Sequence, residues 1–232
     1  MACRNNLKPI FFEFNEGDWP LASARVIQDR VNKVMLERGK CNIMLTGGRS
    51  AASLYVAWSS LVDFQALNFK AINFYFGDER CVPADSVDSN YQMVLRTLFS
   101  CNFIRKRSLI FRIKAEADHK SNEARRYESI LPEKVDIMLL GVGQEGHIAS
   151  LFPGEPALEE GCMKVVHVLT SKYPFERLTI TPPVFKSAES IFILAPGISK
   201  RLVLQKAMEN PLDYKELPVR LVLNGVWFLS SP

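Results

Sequence analysis

Residues 136–147 read DIMLLGVGQEGH, an apolar run passing straight into a glycine-rich turn that ends on His147. Such a turn sets an imidazole, which exchanges a proton near neutrality, beside exposed backbone N–H groups at the carboxyl edge of a sheet. That pairing suits acid–base chemistry on a polar substrate. Thr46-Gly47-Gly48-Arg49-Ser50 lies between an apolar strand and a helix beginning near Ala51. Glycines there permit φ > 0, and a helix start favours an anion such as phosphate; the competing reading is a tight turn that binds nothing. Phe74-Tyr75-Phe76-Gly77-Asp78-Glu79-Arg80 brings three charges to the end of another apolar strand, where they either pair with neighbours or face a pocket. Downstream, Asp88-Ser89-Asn90-Tyr91 has the character of a helix start.

Gly141-Val-Gly143-Gln-Glu-Gly146 also matches G-x-G-x-x-G. A dinucleotide site needs a helix opening at the third glycine and a carboxylate about 20 residues on. Pro153 and Gly154 cut the following segment short, and the next strand ends at Val168-Leu169-Thr170 without an acid. The glycines are better read as letting backbone approach a smaller anion or an ester carbonyl. His119, in ADHKSNEARR, is expected in solvent at a helix start, and His167, in KVVHVL, as a packed or edge histidine. Dispersed histidines without H-E-x-x-H or C-x-x-C spacing predict no metal.

Several elements must position these residues. Ile27, Val31, Val34 and Met35 fall on one helical face between Asp18-Pro20 and Gly39. Strand-length apolar runs follow at 42–45, 72–76, 109–111, 135–140, 165–169, 178–180, 191–194 and 219–223, with helical patterns at 52–61, 91–99, 122–131 and 200–208. The alternation predicts an α/β fold: a mostly parallel sheet covered by helices on both faces, Rossmann-like and three-layered. IMLL, apolar at every position, suits a strand buried on both faces. No repeat or linker divides the chain, so residues 1–232 are expected to form a single domain, with 154–164 as a surface loop.

The 232 residues are 47% hydrophobic and 23% charged with a formal charge of +4, an ordinary balance for a globular protein and a core of good size. The densest basic cluster, Arg105-Lys106-Arg107 beside Phe103 and Ile104, reads as a solvated loop, so nucleic acid is not an expected partner. Five dispersed cysteines (Cys3, Cys41, Cys81, Cys101, Cys162) support neither a disulfide framework nor a zinc motif. Despite Arg4 and Lys8 there is no long apolar core near the start and no run of about 18 apolar residues. Neither secretion nor a membrane partner is expected, and the cytoplasm is the default compartment. The oligomeric state is open, with a monomer slightly favoured.

TGGRSAASLY (46–55), FYFGDERCVPADSVDSNY (74–91), DIMLLGVGQEGHIASLFPG (136–154), ERLTITPPVF (176–185) and APGISK (195–200), in this order, closely resemble the 6-phosphogluconolactonases. These pentose-phosphate-pathway hydrolases share a NagB-like fold with glucosamine-6-phosphate isomerases/deaminases. The resemblance implies hydrolysis of 6-phospho-D-glucono-1,5-lactone to 6-phosphogluconate without metal or organic cofactor. It implies His147 as general base and a phosphate grip made of the Gly47, Gly48, Arg49, Ser50 turn with Arg80, Arg177 and Lys200. Asp78 is expected to orient His147 or a substrate hydroxyl, and the N–H groups between Gly143 and Gly146 to receive the oxyanion.

Three positions depart from the family pattern. Arg49-Ser50-Ala51 replaces the usual serine and threonine-proline, so Arg49 either meets phosphate or solvent. Glu145 replaces the usual aspartate two residues before the histidine. The end, LNGVWFLSSP, is short and is expected to leave a less covered edge. Two rivals are an amino-sugar phosphate isomerase/deaminase and a non-catalytic sugar-phosphate binder of the same fold. Arg80 and SLFPG argue against the first, His147 beside an intact grip against the second.

Overall fold

The computed structural model describes residues 8–231, so Cys3 and Arg4, like the side chain of Phe103, lie outside the described residues. β1 (Ile10–Asn15) enters α1 (Trp19–Arg38), which carries Pro20 in its first turn and ends at left-handed Gly39, whose N–H donates to the Met35 carbonyl. There follow β2 (Cys41–Leu45), α2 (Arg49–Ser59), the single-turn α3 (Val62–Gln65), β3 (Ile72–Phe76), β4 (Asp78–Arg80), α4 (Asn90–Thr97), α5 (Asn102–Arg107), β5 (Leu109–Ile110), α6 (Lys120–Ile130) and β6 (Val135–Gly141). The chain then forms β7 (Val165–Leu169), β8 (Glu176–Ile180), α7 (Pro182–Ser187), β9 (Ala188–Ala195), α8 (Ile198–Glu209) and β10 (Val226–Ser231).

Seven strands make one parallel sheet in the order β1-β10-β9-β6-β2-β3-β5, and β4-β8-β7 form a small antiparallel sheet. Alternate residues of each central strand enter opposite layers. Ile43, Leu139 and Phe192 pack with α1, α2, α4 and α6, whereas Met44, Leu140 and Ile193 pack with α7 and α8. Residues 137–140 are accordingly buried at every position, as the unbroken apolar run IMLL requires. The segment after β6 closes through bridges at Val142, Ile148 and Leu151 instead of opening a helix, which removes the dinucleotide reading.

The carboxyl end corrects two expectations. Residues 219–223 are not a strand: 219–222 belong to a 3-10 turn, Pro218–Val222, which carries proline at its start, and Leu223 caps it. Gly225 then passes so close to β9 that a Cβ would stand 3.0 Å from the Ile191 carbonyl. VWFLSS becomes β10, flanked by β9 on one side and β1 on the other, so the tail is an interior strand and not a thinly covered edge. The basic cluster at 105–107 closes the short helix α5 instead of a loop, with its side chains exposed as expected.

Two buried tyrosines fix the loops that leave the sheet. The Tyr55 hydroxyl accepts from Thr46 N and donates to Thr46 O, both at 3.0 Å, just past the end of β2. The Tyr127 hydroxyl does the same for Phe76 at the end of β3, at 2.7 and 3.0 Å. Each replaces a ladder partner where the strand runs out. Tyr55→Phe is expected to leave both Thr46 groups unpaired and to lower unfolding free energy by about 1–3 kcal/mol in urea denaturation, with the far-UV spectrum retained; a variant as stable as the parent would show that these groups find other partners.

Candidate active site

A cleft of about 580 Å³ opens where β2, β6 and β9 end, the edge at which parallel α/β sheets present ligands. β2 and β9 leave the sheet in the same way. Gly48 (φ 94°, ψ 168°) starts α2 and Gly197 (φ 85°, ψ 162°) starts α8, so two helix N-termini meet at one cavity. Positive φ at both positions explains glycine there. Lys200 ties the two starts together, its Nζ donating to Ser50 Oγ at 2.6 Å. Burial and the neighbouring charge of Arg49 pull the Lys200 ammonium down to about 8. Arg49 itself is exposed at the rim.

The small sheet supplies the opposite wall. Antiparallel pairing sets Arg80 directly across from Arg177, so the two guanidiniums share a face. Arg80 Nη1 donates to Asp88 O at 2.7 Å, while its buried Nε has no acceptor among the described residues. Arg177, buried, holds only long contacts to Ser150 Oγ and Lys172 O beside its bond from Nε to Pro174 O. Burial lowers its proton affinity and Asp78 restores part of it. Glu79 turns the other way. Its carboxylate accepts from the N–H groups of Asn90 and Tyr91 at 2.7 and 2.8 Å and from the Ser89 hydroxyl, capping α4 with negative charge. The Asp-Glu-Arg triplet therefore divides: Glu79 is structural, while Asp78 and Arg80 face the cleft.

Asp78 is buried and fully engaged, accepting from Asn90 Nδ2 at 3.1 Å and Ser150 Oγ at 2.6 Å. Asn90 reaches it across Gly47, where a Cβ would fall 1.8 Å from Asn90 Oδ1. Only glycine leaves room for that crossing.

His147 stands over Gly143, where a Cβ would lie 2.1 Å from its Nδ1, and its ring stacks on Phe152 with centroids 4.3 Å apart. The other contacts to that phenyl are cationic, Lys172 Nζ and Arg177 at 5.8 and 5.5 Å from its centroid. Burial lowers the pKa of His147 below its ordinary value; Glu145 and Asp78 oppose the shift and Lys172 adds to it. Glu145 Oε1 lies 3.2 Å from Nδ1, near enough for a charge contact but not aligned for a hydrogen bond, and is ion-paired to Lys172. Glycine 146, with φ 79°, sits against Leu217 and is absent from the cleft lining.

A family model described as glucosamine-6-phosphate isomerases/6-phosphogluconolactonase matches residues 18–228. The chain belongs to this family. Among its relatives, the 6-phosphogluconolactonase of Synechocystis sp. is 32% identical over 218 residues, covering 88% of this chain and 88% of its own. The 6-phosphogluconolactonase 3 of Saccharomyces cerevisiae is 32% identical over 212 residues, or 84% and 82% of the two chains. The solved 6-phosphogluconolactonase of Trypanosoma brucei is similar with a TM-score of 0.81 at 26% identity over 97% of both chains. That of Shewanella baltica, with a TM-score of 0.85 at 23% identity over 97% of this chain and 98% of its own, shares the fold.

Within this glucosamine-6-phosphate isomerase/6-phosphogluconolactonase frame, His147, Asp78, Gly47, Gly48, Arg49, Ser50, Arg80, Gly143, Arg177 and Lys200 all line one cleft. Two expected roles change. The Gly143 N–H donates to His147 O and the Gly146 N–H to Gly143 O, both at 3.0 Å, so neither glycine amide is free for an oxyanion. Among the described residues the Gln144 N–H, at the turn's tip, has no acceptor. Asp78 makes no hydrogen bond to His147; Glu145 and Phe152 flank the ring instead. Ser150, Phe152 and Lys172 carry no sequence-based expectation of a role in the site, and Asn90 only that of a helix start. Asn90, Ser150 and Phe152 stand inside the SNY and ASLFPG segments, whereas Lys172 lies in the largely exposed loop SKYPF with no signal of its own.

Proposed function

We propose that the chain hydrolyses 6-phospho-D-glucono-1,5-lactone to 6-phosphogluconate, with His147 as general base. One observation carries this reading: the His147 imidazole, whose pKa burial lowers, shares a cleft with Arg80, Arg177 and Lys200. The names of the relatives support the same substrate. Phosphate binds between the starts of α2 and α8, against Lys200 Nζ, Ser50 Oγ and the unpaired Nε of Arg80. The lactone ring then reaches back toward His147.

The carboxylate of Glu145 beside Nδ1 favours the proton on that nitrogen and leaves Nε2 as acceptor. Nε2 takes a proton from water as its oxygen attacks the lactone carbon. The carbonyl oxygen becomes an oxyanion facing the Gln144 N–H and the charges of Lys172 and Arg177. Collapse breaks the bond to the ring oxygen, and the imidazolium returns the proton to it. Water and lactone balance the acid formed, so this route needs no metal or organic cofactor. Asp78 acts by holding Asn90 and Ser150, and through Ser150 the Arg177 guanidinium.

We further propose that the chain is one domain acting on a small sugar phosphate, without a nucleic acid or membrane partner. The cytoplasm is proposed from the free thiols of Cys41, Cys81, Cys101 and Cys162. No helix among the described residues is long and apolar enough to cross a membrane.

Purified protein should open the lactone well above the spontaneous rate, and His147→Ala should lower the catalysed rate by about 10²-fold or more while 6-phosphogluconate still binds. In the parent, the catalysed rate should fall as acid protonates His147, with its midpoint below about pH 6.5. A variant as fast as the parent would remove His147 from the reaction. The phosphate grip has its own pH signature. Because bound phosphate favours the charged lysine, 6-phosphogluconate affinity by calorimetry should hold below the Lys200 pKa of about 8 and fall above it, and Lys200→Gln should abolish that alkaline fall. An unchanged alkaline fall in the variant would take Lys200 out of the grip.

A further inference from the structure

The reverse face of the small sheet holds a cluster that the lactone chemistry does not use. His167 in β7 pairs with Leu178 in β8, and Glu176 lies two residues earlier on the same strand, so both side chains leave the ladder on one face. That is the face of Glu79, which also pairs with Leu178, and is opposite to the one carrying Arg80 and Arg177. Cys81 follows β4 directly, and its N–H donates to the Glu176 carbonyl at 3.0 Å. Cys81 Sγ, a ring nitrogen of His167 and a Glu176 carboxylate oxygen all stand within 4.8 Å of one another.

His167 Nε2 is the telling atom. It is buried, has no hydrogen-bond partner among the described residues, and lies 3.9 Å from Glu176 Oε2, too far for one. A sheltered nitrogen left unpaired between a thiol and a carboxylate has the arrangement of a ligand awaiting a cation. Bond lengths of about 2.0–2.3 Å in a tetrahedral zinc site put neighbouring ligand atoms about 3.3–3.8 Å apart, so separations of at most 4.8 Å must close by no more than about 1.5 Å.

We infer that Cys81, His167 and Glu176 bind one borderline-soft divalent metal ion of the Zn²⁺ class, with a water as fourth ligand. A sulfur, a nitrogen and a single carboxylate select against Mg²⁺ and Ca²⁺, which require oxygen ligands. Cys81 and His167 are only half-buried, which leaves a path of entry. The thiol, which burial pushes up to about 11, gives its proton to solvent as the sulfur–metal bond forms. Lys120 is the opposing charge nearby, and its Nζ is held by the Ala117 carbonyl at 2.7 Å. The ion would pin β4, β8 and β7 together behind the two arginines, a structural task separate from the lactone reading.

Protein stripped with a chelator and titrated with Co²⁺ should develop a thiolate-to-cobalt charge-transfer band with visible d–d absorption, saturating at one equivalent and displaced by Zn²⁺. Cys81→Ser should abolish the charge-transfer band, and His167→Asn and Glu176→Gln should each weaken Co²⁺ binding at least about tenfold. Replacing exposed Cys101 and Cys162 by serine should leave the band intact. No band in the parent protein, or a band that survives Cys81→Ser, overturns the site. If Cys81→Ser fails to fold, unchanged binding in folded His167→Asn overturns it equally.

Discussion

The site depends on one buried carboxylate. Asp78 opens β4, is 5% exposed, and joins three separate pieces of chain: Asn90 at the start of α4, Ser150 beyond the histidine turn, and through Ser150 the Arg177 guanidinium of β8. A charge so placed is tolerable only while hydrogen bonds and a cation compensate it. Each partner is thereby held at its distance from the others. Gly47 belongs to the same constraint, because any side chain there would collide with Asn90 on its way to Asp78.

Around that anchor the fold keeps several polar groups unsatisfied. Arg80 Nε, Asn90 Oδ1 and His147 Nδ1 are buried without hydrogen-bond partners among the described residues, a cost of about 1–3 kcal/mol each. Lys200 is held where its charge is disfavoured, facing two helix N-termini that also favour an anion. These penalties fall in one cleft, and a bound phosphate relieves the cationic ones, at Arg80 and Lys200. The parallel sheet sustains them because its central strands are buried on both faces and do not yield.

Much of the architecture was legible in the pattern of residues. The bounds 72–76 and 165–169 coincide with β3 and β7, where apolar and β-branched residues meet clear breakers. β1 escaped because IFFEFN pairs on one side only and is largely exposed, so its composition reports an edge and not a core. Residues 219–223 misled for the opposite reason: a short apolar run does not by periodicity alone separate a strand from a turn of helix. β4 is made of three charged residues, and its strand character comes from pairing with β8. In the site, glycine turns, His147, the arginines and Lys200 were readable as types at spacings. Which atom each would face was not. That Asp78 would engage Asn90 and Ser150 instead of His147, and that the glycine amides would close on their own turn, are consequences of tertiary placement.

The central claim is geometric: base and phosphate grip face each other across one substrate. A crystal structure of the protein with 6-phosphogluconate measures it directly. The account predicts phosphate oxygens on Lys200 Nζ and Arg80 Nε between the starts of α2 and α8, and the carboxylate carbon within one water of His147. A phosphate seated elsewhere, or a sugar lying with its carboxylate on the lysine and arginine, would contradict it.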